Sequence, residues 1–242
     1  MSTTEIIEAK NWQGADLDCS TCASTGGNCR LMEACVEDRY AKRIDRFFDR
    51  NPEKAKDYLG HPYFEVRAVA AKHVEAEFLP LLMKDRDETV RWSVATRLDP
   101  EHLIEMRMDP EREVRIRVAA RIDEINLGAM IDDPDYYVRQ IVARRIPVPL
   151  LPLMMSDSDR EVRRTVARRI ADEWLVKLLA DEDPAVRLEA ARRVEAEKLK
   201  LLLDDEDWRV RYEVAGRIAP KYLKRLLVDQ DDIVRNLANA RL

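Results

Sequence analysis

Four cysteines crowd into one short window of this chain and are its only cysteines. They are Cys19, Cys22, Cys29 and Cys35, with the spacing C-x2-C-x6-C-x5-C. Four soft thiolates in so short a loop are what a compact metal centre needs, and the C-x-x-C pair puts two of them on one tight turn. Gly26 and Gly27 lie between the second and third cysteines, where they allow the backbone to fold closely.

Three chemistries compete for these cysteines. Disulfides are disfavoured, because no secretory signal opens the chain and we therefore expect a cytoplasmic protein with reduced thiols. A zinc site usually shows a second C-x-x-C or C-x-x-H pair, whereas the second pair here is wider and all three histidines, His61, His73 and His102, lie outside the window. Because an iron–sulfur cluster tolerates uneven spacing, the residues favour iron–sulfur, with zinc as the alternative.

The secondary-structure elements that position these cysteines are expected from an internal repeat of constant length. The dipeptide Val-Arg recurs at one fixed interval with no insertion or deletion, its valine being residue 66, 90, 114, 138, 162, 186, 210 or 234. This valine is position 0 of each repeat. Apolar residues at 0, +4, +5 and +8 form one stripe of a helix of about ten residues, and an acid at −3 suits its N-cap.

A second short segment precedes that acid in each repeat. Its leucines are three apart, as in Leu79 and Leu82, and it holds prolines at Pro80 and Pro152, which together predict a short 3-10 helix. Two such helices cannot bury a core alone, so stacking into an all-α solenoid is expected. The composition agrees, since 37% of residues are charged, 46% are hydrophobic and only six are glycine. No segment is apolar enough to predict a membrane span.

The recurring pattern L-x-x-L … D-x-D-x-x-V-R-x-x-V-A-x-R-I/L, clear from Asp157 to Ile170, resembles the leucine-rich repeat variant family. The resemblance covers eight repeats over residues 51–242. It implies alternating α- and 3-10 helices in a right-handed superhelix without β-sheet. Members of that family include proteins with an N-terminal cysteine-rich segment that holds a [4Fe–4S] cluster. The resemblance therefore implies such a cluster, with Cys19, Cys22, Cys29 and Cys35 as its ligands. Because the spacing departs from that of ferredoxins, electron transfer does not follow by analogy.

Residues 1–50 are predicted to form a separate iron–sulfur segment and cap. Val36, Tyr40, Ile44, Phe47 and Phe48 recur at helical spacing, which predicts a helix that lies against the first repeat. In that first repeat His61 and His73 occupy the slots of an aspartate and an arginine, which is typical of the end of an array.

Two rows of arginines follow the repeat, at positions +1 and +7. Position +1 points into the stack, so the +1 arginines are expected to pair with the acids at −3, four residues earlier. Position +6 points to solvent and carries Arg144, Arg168 and Arg192 in three successive repeats. Within a chain of net charge −5 this basic stripe suits an acidic partner or a phosphate backbone, although a solvated face is the simpler interpretation.

The sequence predicts an interaction scaffold whose cluster is structural or responsive to redox conditions or oxygen. No nucleophile, phosphate-loop or metalloprotease motif occurs, so no enzyme is predicted. The partner is an unidentified protein. Nucleic acid, bound through Arg144, Arg168 and Arg192, is the first alternative, and an electron carrier is the second. Weak self-association is expected through the uncapped end near Leu242, and no membrane partner is expected.

Overall fold

The computed structural model describes residues 8–19 and 28–242. The chain forms two compact units, Met1–Asp123 and Glu124–Leu242. The predicted boundary near residue 50 stays a prediction. In the described residues there are only three isolated β-bridges and otherwise helices and turns. No helix there is both long enough and apolar enough for a membrane crossing.

Every repeat contains one α-helix of nine or ten residues, as the periodicity predicts. A similar helix, α1, precedes the array at Ala41–Arg50. The helices of the array are α2 (Phe64–His73), α3 (Glu88–Arg97), α5 (Arg112–Arg121), α6 (Tyr136–Arg145), α7 (Arg160–Arg169), α9 (Pro184–Arg193), α10 (Trp208–Arg217) and α12 (Asp232–Ala240). Their predicted stripe is the core: Val114, Val118, Ala119 and Ile122 of one repeat are all fully buried.

The second segment of each repeat is mostly a 3-10 helix, as predicted. The 3-10 helices are Pro52–Tyr58, Ala76–Leu82, Ile104–Met106, Glu124–Met130, Val148–Met154, Ala196–Leu202 and Leu226–Val228. Three repeats differ by forming short α-helices here: α4 (Pro100–Leu103), α8 (Asp172–Leu178) and α11 (Pro220–Leu223). Two of them begin with proline, which suits the first turn of an α-helix, and the third begins with Asp172 and Glu173, which favour its N-terminal dipole.

The acid at −3 caps its helix in most repeats. Asp159, for example, accepts a hydrogen bond at 2.8 Å from the Glu161 backbone N–H. Equivalent bonds reach Asp87, Asp135, Asp183, Asp207 and Asp231. Glu111 makes no such bond, and glutamate is not among the favoured N-cap residues because its longer side chain does not match the short Asx geometry.

The +1 arginines do not pair with the acid at −3, so that prediction is wrong. Six of them form a two-pronged ion pair with the aspartate at −5 of the following repeat, with N···O distances of 2.7–3.0 Å. The pairs are Arg67–Asp85, Arg91–Asp109, Arg139–Asp157, Arg163–Asp181, Arg187–Asp205 and Arg211–Asp229. The acid at −3 is close along the helix, but stacking of the repeats brings the aspartate at −5 of the next repeat within reach of the guanidinium.

The +7 arginines close the preceding helix. Arg97 Nη1 donates to the carbonyls of Ala71 at 2.9 Å and Val74 at 2.6 Å, and Arg121 does the same to Ala95 and Leu98, both at 2.8 Å. These carbonyls lie at the C-terminus of the helix one repeat earlier, where a cation and donor are both favourable. Both arginine rows therefore join neighbouring repeats.

Candidate metal centre

Three of the four predicted ligands lie within the described residues. Cys19 and Cys29 are exposed, and Cys35 is 7% exposed. Cys22, like Gly26 and Gly27, lies outside the described residues. The described cysteines come from irregular backbone before α1, so their positions depend on what ties that backbone to the helix.

The end of α1 holds the backbone beside Cys29. Asn51, the C-cap residue of α1, is 3% exposed. Its amide oxygen accepts from the Asn28 N–H at 2.7 Å, and its Nδ2 donates to the carbonyls of Phe47 at 2.7 Å and Asn28 at 3.3 Å. One buried amide therefore closes the helix and fixes the residue before Cys29.

The turn between Cys29 and Cys35 is tied to the same helix. Arg30 and Ala34 exchange two backbone hydrogen bonds of 2.8 Å, and Met32 at the tip takes φ +66°. From α1, Arg46 donates to the Glu33 carbonyl at 3.5 Å and Arg50 pairs with the Glu33 carboxylate. The hydrogen bond from Arg50 holds the pKa of Glu33 below its ordinary value. Two guanidinium groups thus hold this turn against α1.

The backbone of Cys35 is bonded to Arg43, whose side chain belongs to a buried ion pair. The Cys35 N–H donates to the Arg43 carbonyl at 3.0 Å. The Arg43 guanidinium is 2.8 Å from the carboxylate of Asp38, which is fully buried and also accepts from the Tyr40 N–H at 2.8 Å. The pair sits at the start of α1, where the Arg43 carbonyl holds the Cys35 N–H.

The segment before Cys19 reaches α1 through a tight turn. Asn11 caps this turn, since its side chain accepts from the N–H groups of Gln13 and Ala15, and Gly14 takes φ +90°, which favours glycine. The Arg39 N–H then donates to the Lys10 carbonyl at 2.9 Å. The backbone on both sides of the cysteine window is therefore hydrogen-bonded to residues at or just before the start of α1.

Helix α1 begins later than its spacing predicts. Val36 and Tyr40 precede it, but Ile44, Phe47 and Phe48 lie within it and are fully buried. It packs on α2, so the prediction of a helix lying against the first repeat is confirmed.

The two histidines of the first repeat contact this segment. His61 keeps one aspartate-like bond, as its Nδ1 accepts from the Tyr63 N–H at 3.1 Å, while its Nε2 lies 3.7 Å from Glu37. The hydrogen bond from His61 lowers the pKa of Glu37. His73 stacks on Phe48 and contacts Asp45 at 3.0 Å. The histidines thus make contacts of their own where the N-terminal segment meets the array, His61 with Glu37 and His73 with Phe48 and Asp45.

The donor set fits an iron–sulfur cluster by its chemistry. In residues 8–19 and 28–242 no three potential ligands lie close enough to hold a metal ion. The described cysteines nevertheless supply soft sulfur donors in one window, and Cys29 and Cys35 are flanked by backbone fixed to α1. Four thiolates are the ligands that such a cluster uses.

The basic stripe is partly neutralised. Glu189, 7% exposed, accepts from Arg168 at 2.6 Å and from Arg164 at 3.1 Å, and lies 3.5 Å from Arg192. Burial opposes ionisation of Glu189, but the hydrogen bonds from Arg168 and Arg164 outweigh it and lower its pKa. Arg144 is exposed. Two of the three arginines predicted to bind an anion thus already have a carboxylate.

Sequence reasoning missed Asn51, Asp38 and Arg43. A signal existed for Arg43, which stands one repeat length before Arg67 and so continues the +1 row into the cap. No periodic signal marks Asn51 or Asp38, because they make their contacts in the cap, where the repeat does not extend.

Known proteins resemble this chain both in the segment that holds the cysteines and in the repeats. A family model described as "LRV protein FeS4 cluster" matches residues 9–57. A solved structure described as "a leucine-rich repeat variant with a novel repetitive protein structural motif" is 40% identical, with a TM-score of 0.86, over 93% of this chain and 99% of its own. The "uncharacterized 27.7 kDa protein in nifB 3'region" of Rhodobacter capsulatus is 45% identical over 95 residues, which span 38% of this chain and only 39% of that protein.

Proposed function

Because the chain belongs to the leucine-rich repeat variant family, with a match to that family's iron–sulfur segment, we propose that it is a non-enzymatic interaction scaffold headed by a [4Fe–4S] cluster. Cys19, Cys22, Cys29 and Cys35 hold the cluster. Reduced thiols require a reducing compartment, which makes the cytoplasm the expected location. The partner is a protein that docks on the solenoid.

The observation that supports this proposal best is the attachment of the cysteine window to α1. Asn51 fixes the backbone before Cys29, and the Arg43 carbonyl fixes Cys35. Because α1 packs on the first repeat, a change in the cysteine window is expected to reach that repeat through α1. A cluster at this place stabilises the cap and makes it sensitive to oxidation.

The residues around the window suit a negatively charged centre. An iron–sulfur cluster supplies reversible one-electron chemistry and carries net negative charge on its thiolate ligands. Arg46 and Arg50 of α1 hold the turn between Cys29 and Cys35, and the Arg43 carbonyl accepts from the Cys35 N–H. Asp38 already neutralises Arg43 and Glu33 already neutralises Arg50, which leaves Arg46 as the cation of this set available to the thiolates. The exposure of Cys19 and Cys29 leaves that side open to oxidants.

Metal analysis of protein purified without oxygen tests the proposal. About four irons and four sulfides per chain, with a broad visible band that air bleaches, are expected. A Cys22→Ser variant should lose most of the iron, whereas the exposed Ser158→Ala in the array should keep it. One zinc per chain in a colourless solution would overturn the cluster. A cluster whose oxidation leaves the thermal stability of the chain unchanged would overturn its role in the cap.

Binding of nucleic acid through Arg144, Arg168 and Arg192 stays a prediction. The carboxylate of Glu189 among Arg164, Arg168 and Arg192 reduces the charge available to a phosphate backbone. Titration with duplex and single-stranded DNA at several salt concentrations would decide it, since each neutralised phosphate adds to the salt slope.

A further inference from the structure

A second charged feature lies on α5 and has nothing to do with the cysteines. Arg117 is half-buried at position +3, and its guanidinium lies over the ring of Trp92 on α3, 4.9 Å from the centroid. Within residues 8–19 and 28–242, Arg117 makes no ion pair. Its charge is therefore oriented by an aromatic face and not by a carboxylate.

In a repeat of the second unit, position +3 carries a carboxylate instead of an arginine. There, Glu189 at +3 receives Arg164 and Arg168, which occupy positions +2 and +6 of the preceding repeat. The equivalent residues for Arg117 are Trp92 and Thr96, and Thr96 already donates its hydroxyl to the Trp92 carbonyl at 2.9 Å. At position +3, opposite charges pair around Glu189 in the second unit. In the first unit the Arg117 cation at the same position has no carboxylate among the described residues.

The polar atoms of this position are also unsatisfied. Among the described residues two buried side-chain polar atoms have no hydrogen-bond partner, namely Ser93 Oγ and Arg117 Nε. Both occupy position +3, in neighbouring repeats of the first unit. Such atoms are rare in folded proteins, and a bound water or ion is one explanation for them.

A second guanidinium stands one helical turn away. Arg121 directs Nη1 to the carbonyls of Ala95 and Leu98, which leaves its charge without a bonded carboxylate among the described residues. Burial first and then repulsion by Arg117 lower the pKa of Arg121, and Asp99 opposes this. Residues 117 and 121 stand four apart on α5, so the two guanidinium groups lie on the same face of the helix.

We propose that Arg117 and Arg121, with Trp92 as the platform that orients Arg117, form a binding site for a phosphate group. Two guanidinium forks can engage the several oxygens of a phosphate dianion, whereas a carboxylate offers two oxygens and fills one fork. The phosphate comes from inorganic phosphate or from a small phosphate monoester. The site is distinct from the Arg144, Arg168 and Arg192 stripe and does not depend on the cluster.

Calorimetric titration of the full chain tests the site, with inorganic phosphate and glycerol phosphate as probes and acetate as the anion control at equal ionic strength. Both phosphates should bind and acetate should not, and the tighter of the two identifies the source. Arg117→Gln should weaken binding at least about tenfold, the loss expected for a charge-assisted hydrogen bond. Arg144→Gln, which removes the same charge from an exposed position +6, should bind like the wild type.

Three results would overturn the proposal: no binding of either phosphate, equal binding of acetate, or unchanged phosphate binding by Arg117→Gln. Melting curves show whether that variant is folded. Should it not fold, Arg117→Lys keeps the charge but loses the fork, and phosphate should then raise its melting temperature less than that of the wild type.

Discussion

Arg91 and Asp109 belong to successive repeats, yet their side chains form two hydrogen bonds, Nε to Oδ2 at 2.7 Å and Nη2 to Oδ1 at 3.0 Å. Both residues are more than nine-tenths buried. The same guanidinium also donates Nη1 to the Asp85 carbonyl at 2.8 Å. One arginine therefore joins the loop of its own repeat to the loop of the next.

Removal of Asp109 should be among the costliest single changes in the array. Asp109→Ala leaves the Arg91 guanidinium buried without its carboxylate and should lower the free energy of unfolding by about 3 kcal/mol. The surface change Glu101→Ala, in the same repeat, should alter it by less than about 0.5 kcal/mol. Urea titration measures both. Equal effects of the two variants would show that the interrepeat pair contributes little.

Two substitutions at helix N-caps should change the stability of the protein in opposite directions. Asp159→Ala removes the acceptor of the Glu161 N–H and should cost about 1 kcal/mol. Glu111→Asp supplies the shorter side chain at the acidic position that lacks a cap bond, and should raise the melting temperature. A lower melting temperature for Glu111→Asp would contradict this explanation of why Glu111 does not cap its helix.

Asn51 should matter to the cluster as well as to the fold. Asn51→Ala removes the bonds to Asn28 and Phe47, and should speed the loss of visible absorbance when air is admitted. Asn239→Ala, at an exposed amide in the second unit, provides the control. If both variants bleach at the wild-type rate, Asn51 has no part in holding the window.

Acid should weaken the interrepeat pairs. Hydrogen bonds from Arg211 hold the pKa of Asp229 below the ordinary aspartate value of 3.8. Its contribution to stability is therefore complete above that value and is lost as the pH falls through the lower value of the folded state. The stability difference between wild type and Asp229→Asn should shrink as the pH falls below about 4. A difference that stays constant into acid would show that Asp229 does not titrate with folding.

The sequence predicts the repeat array far better than it predicts the N-terminal segment that precedes it. The stripe at 0, +4, +5 and +8, the N-cap acids and the 3-10 segments all follow from periodicity, because each repeat meets the same neighbours. The pattern predicts the wrong partner for the +1 arginines, because local helix spacing favours the acid four residues away. Only stacking brings the aspartate of the next repeat within reach. Asn51 and Asp38 make their contacts in the cap, so nothing in the pattern could identify them.

The link from Arg91 to Asp109 also governs how such a chain can change length. Each of the six paired arginines at +1 donates to an aspartate at one constant separation along the chain, so the partner belongs to whichever repeat comes next and not to a particular one. Duplication or excision of a whole repeat returns each donor to an equivalent acceptor. An insertion of any other length between them would break a buried ion pair. The array is thus free to lengthen or shorten in evolution, but only in whole repeats, which agrees with eight of them standing in line without a single gap.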